Sequence, residues 1–363
     1  MTTTSETLAK TRIQSLLEAP VSEVLDWLEP QETLIVSAED SLLASCRSLH
    51  ERGLRSCLIE GGAGGRHSIL DMRDVNSLLV ETIGVSEPPS ASAPLSVEPS
   101  NPLSPQDLVK KLEGVKASQV ANKSGKNHPV PFLASQPVKA LIKNFSQGTR
   151  VPIVTSTDGA PTMTAGTGVR LLRVFSPVDL LSVMKKGNYL EDLQSTRDVP
   201  MTVALGQKPV SCITDEDSLF KAMYLLYKTG FSAMPIVDSS NPLHVISVLS
   251  VRDLKHLLLP DLLYLSPKCL TEPAMDFLTA VKRFEEKGRF PFMNVREDSS
   301  LQAAVAKLLA ASVQRILLTD SRGQLSGVVS ITDICRLLAE LGSRAQSSAS
   351  KEQEGEPPGG EMV

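Results

Sequence analysis

A serine and an aspartate recur three positions apart in this chain, at Ser176/Asp179, Ser250/Asp253 and Ser330/Asp333. At the head of a helix such a pair is a capping box, in which hydroxyl and carboxylate each satisfy a backbone amide of the first turn. A carboxylate held there can also accept hydrogen bonds from the vicinal hydroxyls of a ribose, and neighbouring hydroxyls such as Thr332 add contacts. The two readings can coexist in one residue. Three arginines, Arg55, Arg150 and Arg315, stand where apolar segments begin. A guanidinium in that position is costly unless it reaches water or an anion.

Signatures of catalysis are missing. The five histidines, His50, His67, His128, His244 and His256, are scattered, with no HExxH, no GxSxG and no Cys/His metal spacing. His67 and His244 read as strand-edge residues, and His256 as a capping or solvent-exposed residue. The glycines from Gly61 to Gly65 lack the GK[ST] ending of a phosphate loop and read as a strand connection. Gly166 and Gly168 fail the dinucleotide fingerprint for the same kind of reason. The chain reads as a non-enzyme.

The elements that position these residues repeat four times. An amphipathic helix with apolar residues at i, i+4 and i+7 opens each unit: Leu42/Cys46/Leu49, Val138/Ile142/Phe145, Leu219/Met223/Leu226 and Leu301/Val305/Leu308. Asp40, Asp217 and Asp298 precede three of these helices and are expected to cap them. An apolar strand follows each helix, at residues 54–59, 150–154, 231–237 and 313–318. A polar turn, a second strand and a second helix complete the unit. The second helix carries Asp74, Asp179, Asp253 or Asp333 near its start. The second unit is longer because of its turn at 155–168. A single unit is too small to bury both faces of its sheet, so the units must pair.

This pattern resembles the CBS (cystathionine-β-synthase-type) module, and its pairs resemble Bateman domains. Four in tandem resemble the γ regulatory subunits of the AMP-activated and sucrose-non-fermenting kinase family. The stretch from Ser250 to Leu258, continuing through Pro260 into 277–286, looks most like the plant γ-type proteins. The resemblance runs from about Val21 to Leu341. It implies an α+β fold of four strand-helix-strand-strand-helix repeats, paired into two Bateman domains that form a disc. It implies AMP, ADP or ATP as regulatory ligands in clefts at the repeat interfaces, with no covalent cofactor. The Asp of each motif would hold the ribose, and Arg55, Arg150 and Arg315 would meet phosphates, for which the planar fork of Arg is suited. A kinase catalytic α subunit and a β scaffold are the implied partners.

The chain departs from the family pattern at several positions. Thr149 and Gln314 stand where His often precedes the Arg, and the third unit has Ser232 and Ala233 with no basic residue. Asp71 occupies the Ser/Thr position of the first unit, where a second carboxylate would repel phosphate. Asp253 and Asp333, with Ser250, Ser330, Thr332 and Arg315, are therefore the leading site residues, and Asp179 with Ser176 is intermediate. A competing reading is a CBS scaffold that binds no nucleotide and regulates a kinase or phosphatase through protein contacts.

Composition sets the frame. The 363 residues are 41% hydrophobic and 21% charged, enough for more than one core. The net charge of -4 and 4% aromatic content argue against a broad nucleic-acid surface, leaving room for a small local basic cluster. Five cysteines without a CxxC pair read as reduced core thiols of a cytoplasmic or nuclear protein. No basic start followed by an apolar stretch marks a signal peptide, and no apolar run is long enough to span a membrane. The expected organisation is an N-terminal extension (1–20), repeat one (21–85), a Pro/Ser-rich linker (86–105), repeat two (106–190), repeat three (195–260), repeat four (266–342) and a disordered tail (343–363).

Overall fold

The computed structural model describes residues 12–30, 32–61, 67–86, 97–127, 131–145, 150–155, 170–189, 210–285 and 292–340. The turn at 156–168, Thr149, His128, most of the 61–65 glycines and the expected tail lie outside them.

Four three-stranded sheets answer to the four repeats. They are β1 (Ile35–Ser37), β2 (Ser56–Glu60), β3 (Ser68–Asp71); β4 (Phe132–Leu133), β5 (Val151–Thr155), β6 (Arg170–Phe175); β7 (Ile213–Thr214), β8 (Ala233–Asp238), β9 (Asn241–Ser250); and β10 (Asn294–Arg296), β11 (Arg315–Thr319), β12 (Leu325–Ser330). In each, the short first strand runs parallel to the central strand and the third runs antiparallel to it. A parallel neighbour requires a crossover, and the opening helix of each unit supplies it. The opening helices span Leu42–Glu51, Val138–Phe145, Leu219–Thr229 and Leu301–Ala310, and all twelve apolar stripe residues are buried.

The caps of these helices differ from expectation. Ser41, Ser218 and Ser300 are the capping residues, and Ser218 and Ser300 accept from the amides of Lys221 and Ala303 at 3.2 Å. Asp40 and Asp217 instead close the strand-to-helix turn, accepting from the amides of Ser37 (3.0 Å) and Thr214 (2.8 Å). Asp298 pairs with Arg296. The aspartates lie one or two residues too early to reach the helix amides.

The second helices cover Met72–Ile83, Pro177–Lys186 and residues 331–340. In the third unit a 3₁₀ helix, Asp253–Leu258, stands where an α-helix was expected. Pro260 is the physical reason. A residue before proline is pushed out of the α region, and Leu259 sits at φ -128°, ψ 53°.

Segments between units are exchanged. The amides of Val21 and Ser22 donate to the carbonyls of Gln136 and Ala134 in unit two, at 2.9 and 2.8 Å. The stretch before unit two returns the exchange: Leu42 donates to Val115 and Ala117 to Asp40. The stretch before unit four does the same on unit three, through Leu219 to Glu272 and Ala274 to Asp217. Part of the expected N-terminal extension is therefore core, with Leu16 and Leu17 buried beside unit two. Likewise, part of the expected linker is structured: Val97 is buried, Pro99 bridges to Val85, and Ser104 caps the helix Pro105–Leu112.

One large core joins units one and three, and a second joins units two and four. Helix Met72–Ile83 lies on Leu219–Thr229, and Pro177–Lys186 lies on Leu301–Ala310. In the second core the rings of Phe145 and Phe175 stack 5.7 Å apart. Within the second pair, β9 and β12 lie side by side over a small apolar patch of Val237, Val245 and Leu317. Helices thus weld the pairs to each other, while sheets and exchanged segments weld units within a pair. The result is an α+β fold of four paired repeats.

His256 is wholly buried rather than exposed or capping. Its ring meets that of His50 edge-on at 5.4 Å, and Phe284 covers it at 5.7 Å, where units one and three join.

Candidate functional site

The three Ser–Asp pairs share one geometry. Ser176, Ser250 and Ser330 close the third strand of their sheets or directly follow it. Each donates both its amide (2.8, 2.8 and 3.0 Å) and its hydroxyl (2.6, 2.9 and 2.7 Å) to Oδ2 of the aspartate three residues on. Asp179 and Asp253 are buried and Asp333 is partly buried. Arg173 donates to Oδ1 of Asp179, and Arg336 to Oδ1 of Asp333 at 2.8 Å. Lys282, whose pKa burial lowers while the charge of Asp253 raises it, donates to Ser247 at 2.7 Å. Thr332 lies half-buried beside Asp333.

In the first unit Asp71 replaces the serine, and the box inverts in part. Asp71 caps the helix by accepting from the amide of Arg73 at 2.8 Å, and Asp74 accepts from the amide of Asp71 at 2.9 Å. Asp74 is fully buried and its oxygens are taken by Ser124, through amide (2.9 Å) and hydroxyl (2.6 Å), and by the Asn127 amide at 3.2 Å. Burial and then the charge of Asp71 push its carboxyl up to about 6. The 122–127 turn thus fills the space over this carboxylate.

The arginines divide by register. Arg315 pairs directly opposite Ser330 in the sheet, and Arg150 stands next to the Val151–Phe175 pair, hence opposite Ser176. The same place is Ala233 in unit three, opposite Ser250, and Ser56 in unit one, opposite Asp71. Arg55 is therefore one residue out of register with the other two, a correction to their grouping. A one-residue offset turns a side chain to the other face. Arg55 accordingly reaches across to unit four, where it donates to the Ser312 carbonyl at 2.6 Å.

Arg150 and Arg315 each cross to the other unit of their pair. Arg150 donates to Asp71 Oδ2 at 2.6 Å, and Arg315 donates to the Ala233 carbonyl and to the Ser232 hydroxyl at 2.7 Å. The departures from the family pattern, Asp71 and Ser232/Ala233, are thus the acceptors for the arginine of the partner unit. Each pair carries one such arginine and one such acceptor.

Arginine side chains crowd where the units meet. Burial and then the charge of Arg73 push the pKa of Arg315 down to about 10, and burial with the charge of Arg73 also lowers that of Arg150 against the pull of Asp71. Arg73 therefore lies within electrostatic range of both arginines. Burial raises the Asp71 pKa, but Arg73 and Arg150 more than offset this and hold it well below the ordinary carboxylate range. Sequence reasoning missed Arg73, Arg173 and Arg336. The last lies at i+3 from Asp333 and was legible; the other two act through strand and cap geometry.

Among the described residues no group of three or more His, Cys, Asp and Glu could hold a metal, and no helix is long and apolar enough to cross a membrane.

Comparison with known proteins bears on the last two units. The CBS domain model matches residues 198–260 and 273–340, which are the third and fourth units with their lead-in segments. Units one and two repeat the same sheet topology. By this match units three and four are CBS domains, and the chain is similar to the following proteins. Protein sds23/moc1 of Schizosaccharomyces pombe is 23% identical over 86% of this chain and 78% of its own length. The SNF1-related protein kinase regulatory subunit gamma-like PV42a of Arabidopsis thaliana is 28% identical over 53% of this chain and 58% of its own. Among solved structures, protein MJ1225 of Methanocaldococcus jannaschii, described as a candidate archaeal homologue of g-AMPK, superposes with a TM-score of 0.55. It is 12% identical and the match covers 86% of this chain and 98% of that one.

Proposed function

We propose that this protein is a non-catalytic regulator that holds an adenine nucleotide in the second CBS pair and passes its binding state to a protein kinase. The two serine-held carboxylates of the second pair, Asp253 and Asp333, with Arg315 opposite Ser330 and within electrostatic range of Asp333, carry this reading. The buried Arg315 guanidinium donates to neutral acceptors, the Ala233 carbonyl and the Ser232 hydroxyl, and an anion would satisfy it better. Asp253 and Asp333, held by Ser250 and Ser330, are the ribose acceptors, and Arg315 is the phosphate contact. The apolar patch of Val237, Val245 and Leu317 between the two sheets suits the adenine ring. AMP, ADP and ATP differ in charge and length, so they can be told apart. A ligand shifts the state of a bound kinase only by its difference in affinity between states. The kinase, with a catalytic α and a β scaffold subunit, is inferred from the γ-like relative. Five free cysteines suit the reducing cytoplasm or nucleus.

A second reading has its own support. Arg55, Arg150 and Arg315 all clasp one unit to another, as a scaffold that binds no nucleotide would require. Calorimetric titration with AMP, ADP and ATP separates the two readings. Micromolar binding (about -8 kcal/mol at 1 μM) that is lost in an Asp253→Ala/Asp333→Ala variant supports the sensor. No heat from any nucleotide with folded protein leaves the scaffold, which keeps its partner in that variant.

A further inference from the structure

We propose that a separate cleft, between units one and three, binds a small anion carrying two or more phosphates. A cavity of about 350 Å³ lies between the helix Met72–Ile83, the 123–126 turn and the C-terminal end of the helix Leu219–Thr229. That volume is at the lower end for small-molecule sites. Arg73, Lys123, Lys126 and Lys228 line it, and none of its lining residues is acidic. It contains neither Asp253 nor Asp333, so it is not the ribose site argued above.

The four cations are not equally occupied. Arg73 is paired with Asp71 at 2.8 Å and Lys123 with Glu81 at 2.6 Å. Neither Lys126 nor Lys228 has an acidic partner among the described residues, and the Lys228 ammonium lies 5.5 Å from the Tyr224 ring. The seat of Lys126 is built into the backbone. It lies over Gly230, a left-handed residue (φ +67°) that ends the helix of unit three, where an added Cβ would come within 2.8 Å of Lys126 Cε. The side chain from the unit-one turn is thus laid against unit three at a point only glycine leaves open.

Two ammoniums without acidic partners, Lys126 and Lys228, stand beside the ion-paired Arg73 and Lys123, and a compact ligand of several negative charges compensates them best. A phosphate chain meets this need and lets one anion bridge the two CBS pairs. Binding there would therefore stabilise the joined form of the two pairs.

The test is calorimetric titration of the full chain with sodium tripolyphosphate, which carries no sugar. Binding should be at least about tenfold weaker in Lys126→Glu/Lys228→Glu, the loss expected for removing one charge-assisted contact or more. It should persist in Lys126→Arg/Lys228→Arg, which controls for misfolding, and in Asp253→Ala/Asp333→Ala. In that aspartate variant, displacement of tripolyphosphate by ATP would mark a nucleotide as the natural source, and failure of ATP to displace it would mark free polyphosphate. Three outcomes would overturn the proposal: no heat from the folded wild type, full affinity in the lysine-to-glutamate variant, or loss of binding in the aspartate variant. The last would assign the phosphates to the nucleotide site.

Discussion

Replacing Asp71 with serine would give unit one the same Ser-x-x-Asp box as the other three units, yet the structure says that it destabilises the protein. Asp71 is 2% exposed and accepts from Arg150 Nη1 at 2.6 Å and from Arg73 Nη2 at 2.8 Å. Both arginine side chains are more than four-fifths buried. Serine can still cap the helix, so the loss is that of the ion pairs. Removing one partner of a buried pair costs about 3–5 kcal/mol, because the other charge stays buried and uncompensated. The change also relieves the repulsion that Asp71 exerts on Asp74, returning about 1 kcal/mol. The net loss of about 2–4 kcal/mol corresponds to a fall in Tm of roughly 3–5 °C for a chain of this size. Denaturant unfolding of Asp71→Ser, Arg150→Met and the double variant closes a cycle. The double variant should be less destabilised than the sum of the two, with a coupling of about 1–3 kcal/mol. An Asp71→Ser protein within about 0.5 kcal/mol of wild type, or strict additivity, would refute the argument that this clasp holds unit two to unit one.

Two further outcomes follow from the buried groups. Burial pushes the thiols of Cys46, Cys269 and Cys335 up to about 12 and raises Cys57 as well, so a thiol reagent at pH 8 should label Cys212 first in the native protein. Rapid labelling of the other four without denaturant would contradict the packing of both cores. The His50 pKa is lowered, first by burial and then by the charges of Lys255 and His256, so the folded state favours its neutral ring. Its folded pKa lies below the unfolded value, so stability is lost as pH falls through the ordinary imidazole range near 6.5. His50→Gln should flatten the stability profile between about pH 7 and 5. An unchanged slope in urea unfolding would remove His50 from the acid response.

Periodicity alone placed the four opening helices and their buried faces, since a stripe at i, i+4 and i+7 has one way to meet a sheet. It also placed the strands that follow, within about two residues. The Ser-x-x-Asp boxes were legible for the same local reason: three residues of helix geometry bring hydroxyl and carboxylate together, whatever lies beyond. The sequence also marked Asp71 and Ser232/Ala233 as departures from the repeat, without saying what they were for.

Only the tertiary structure decided the rest. It set the register, which places Arg150 and Arg315 opposite the serines and Arg55 one residue out, because strand pairing is a contact between distant segments. It paired Arg150 with Asp71 across 79 positions and Arg315 with Ser232 across 83. It carried the 12–25 and 97–121 segments onto the opposite repeat, where hydrophobic burial outweighs a composition that reads as extension and linker. The cation-lined cleft likewise draws Arg73, Lys126 and Lys228 from three separate stretches of chain. Local patterns fix elements through neighbours a few residues away. Charges act through space, and which of them meet is decided only when the units pack.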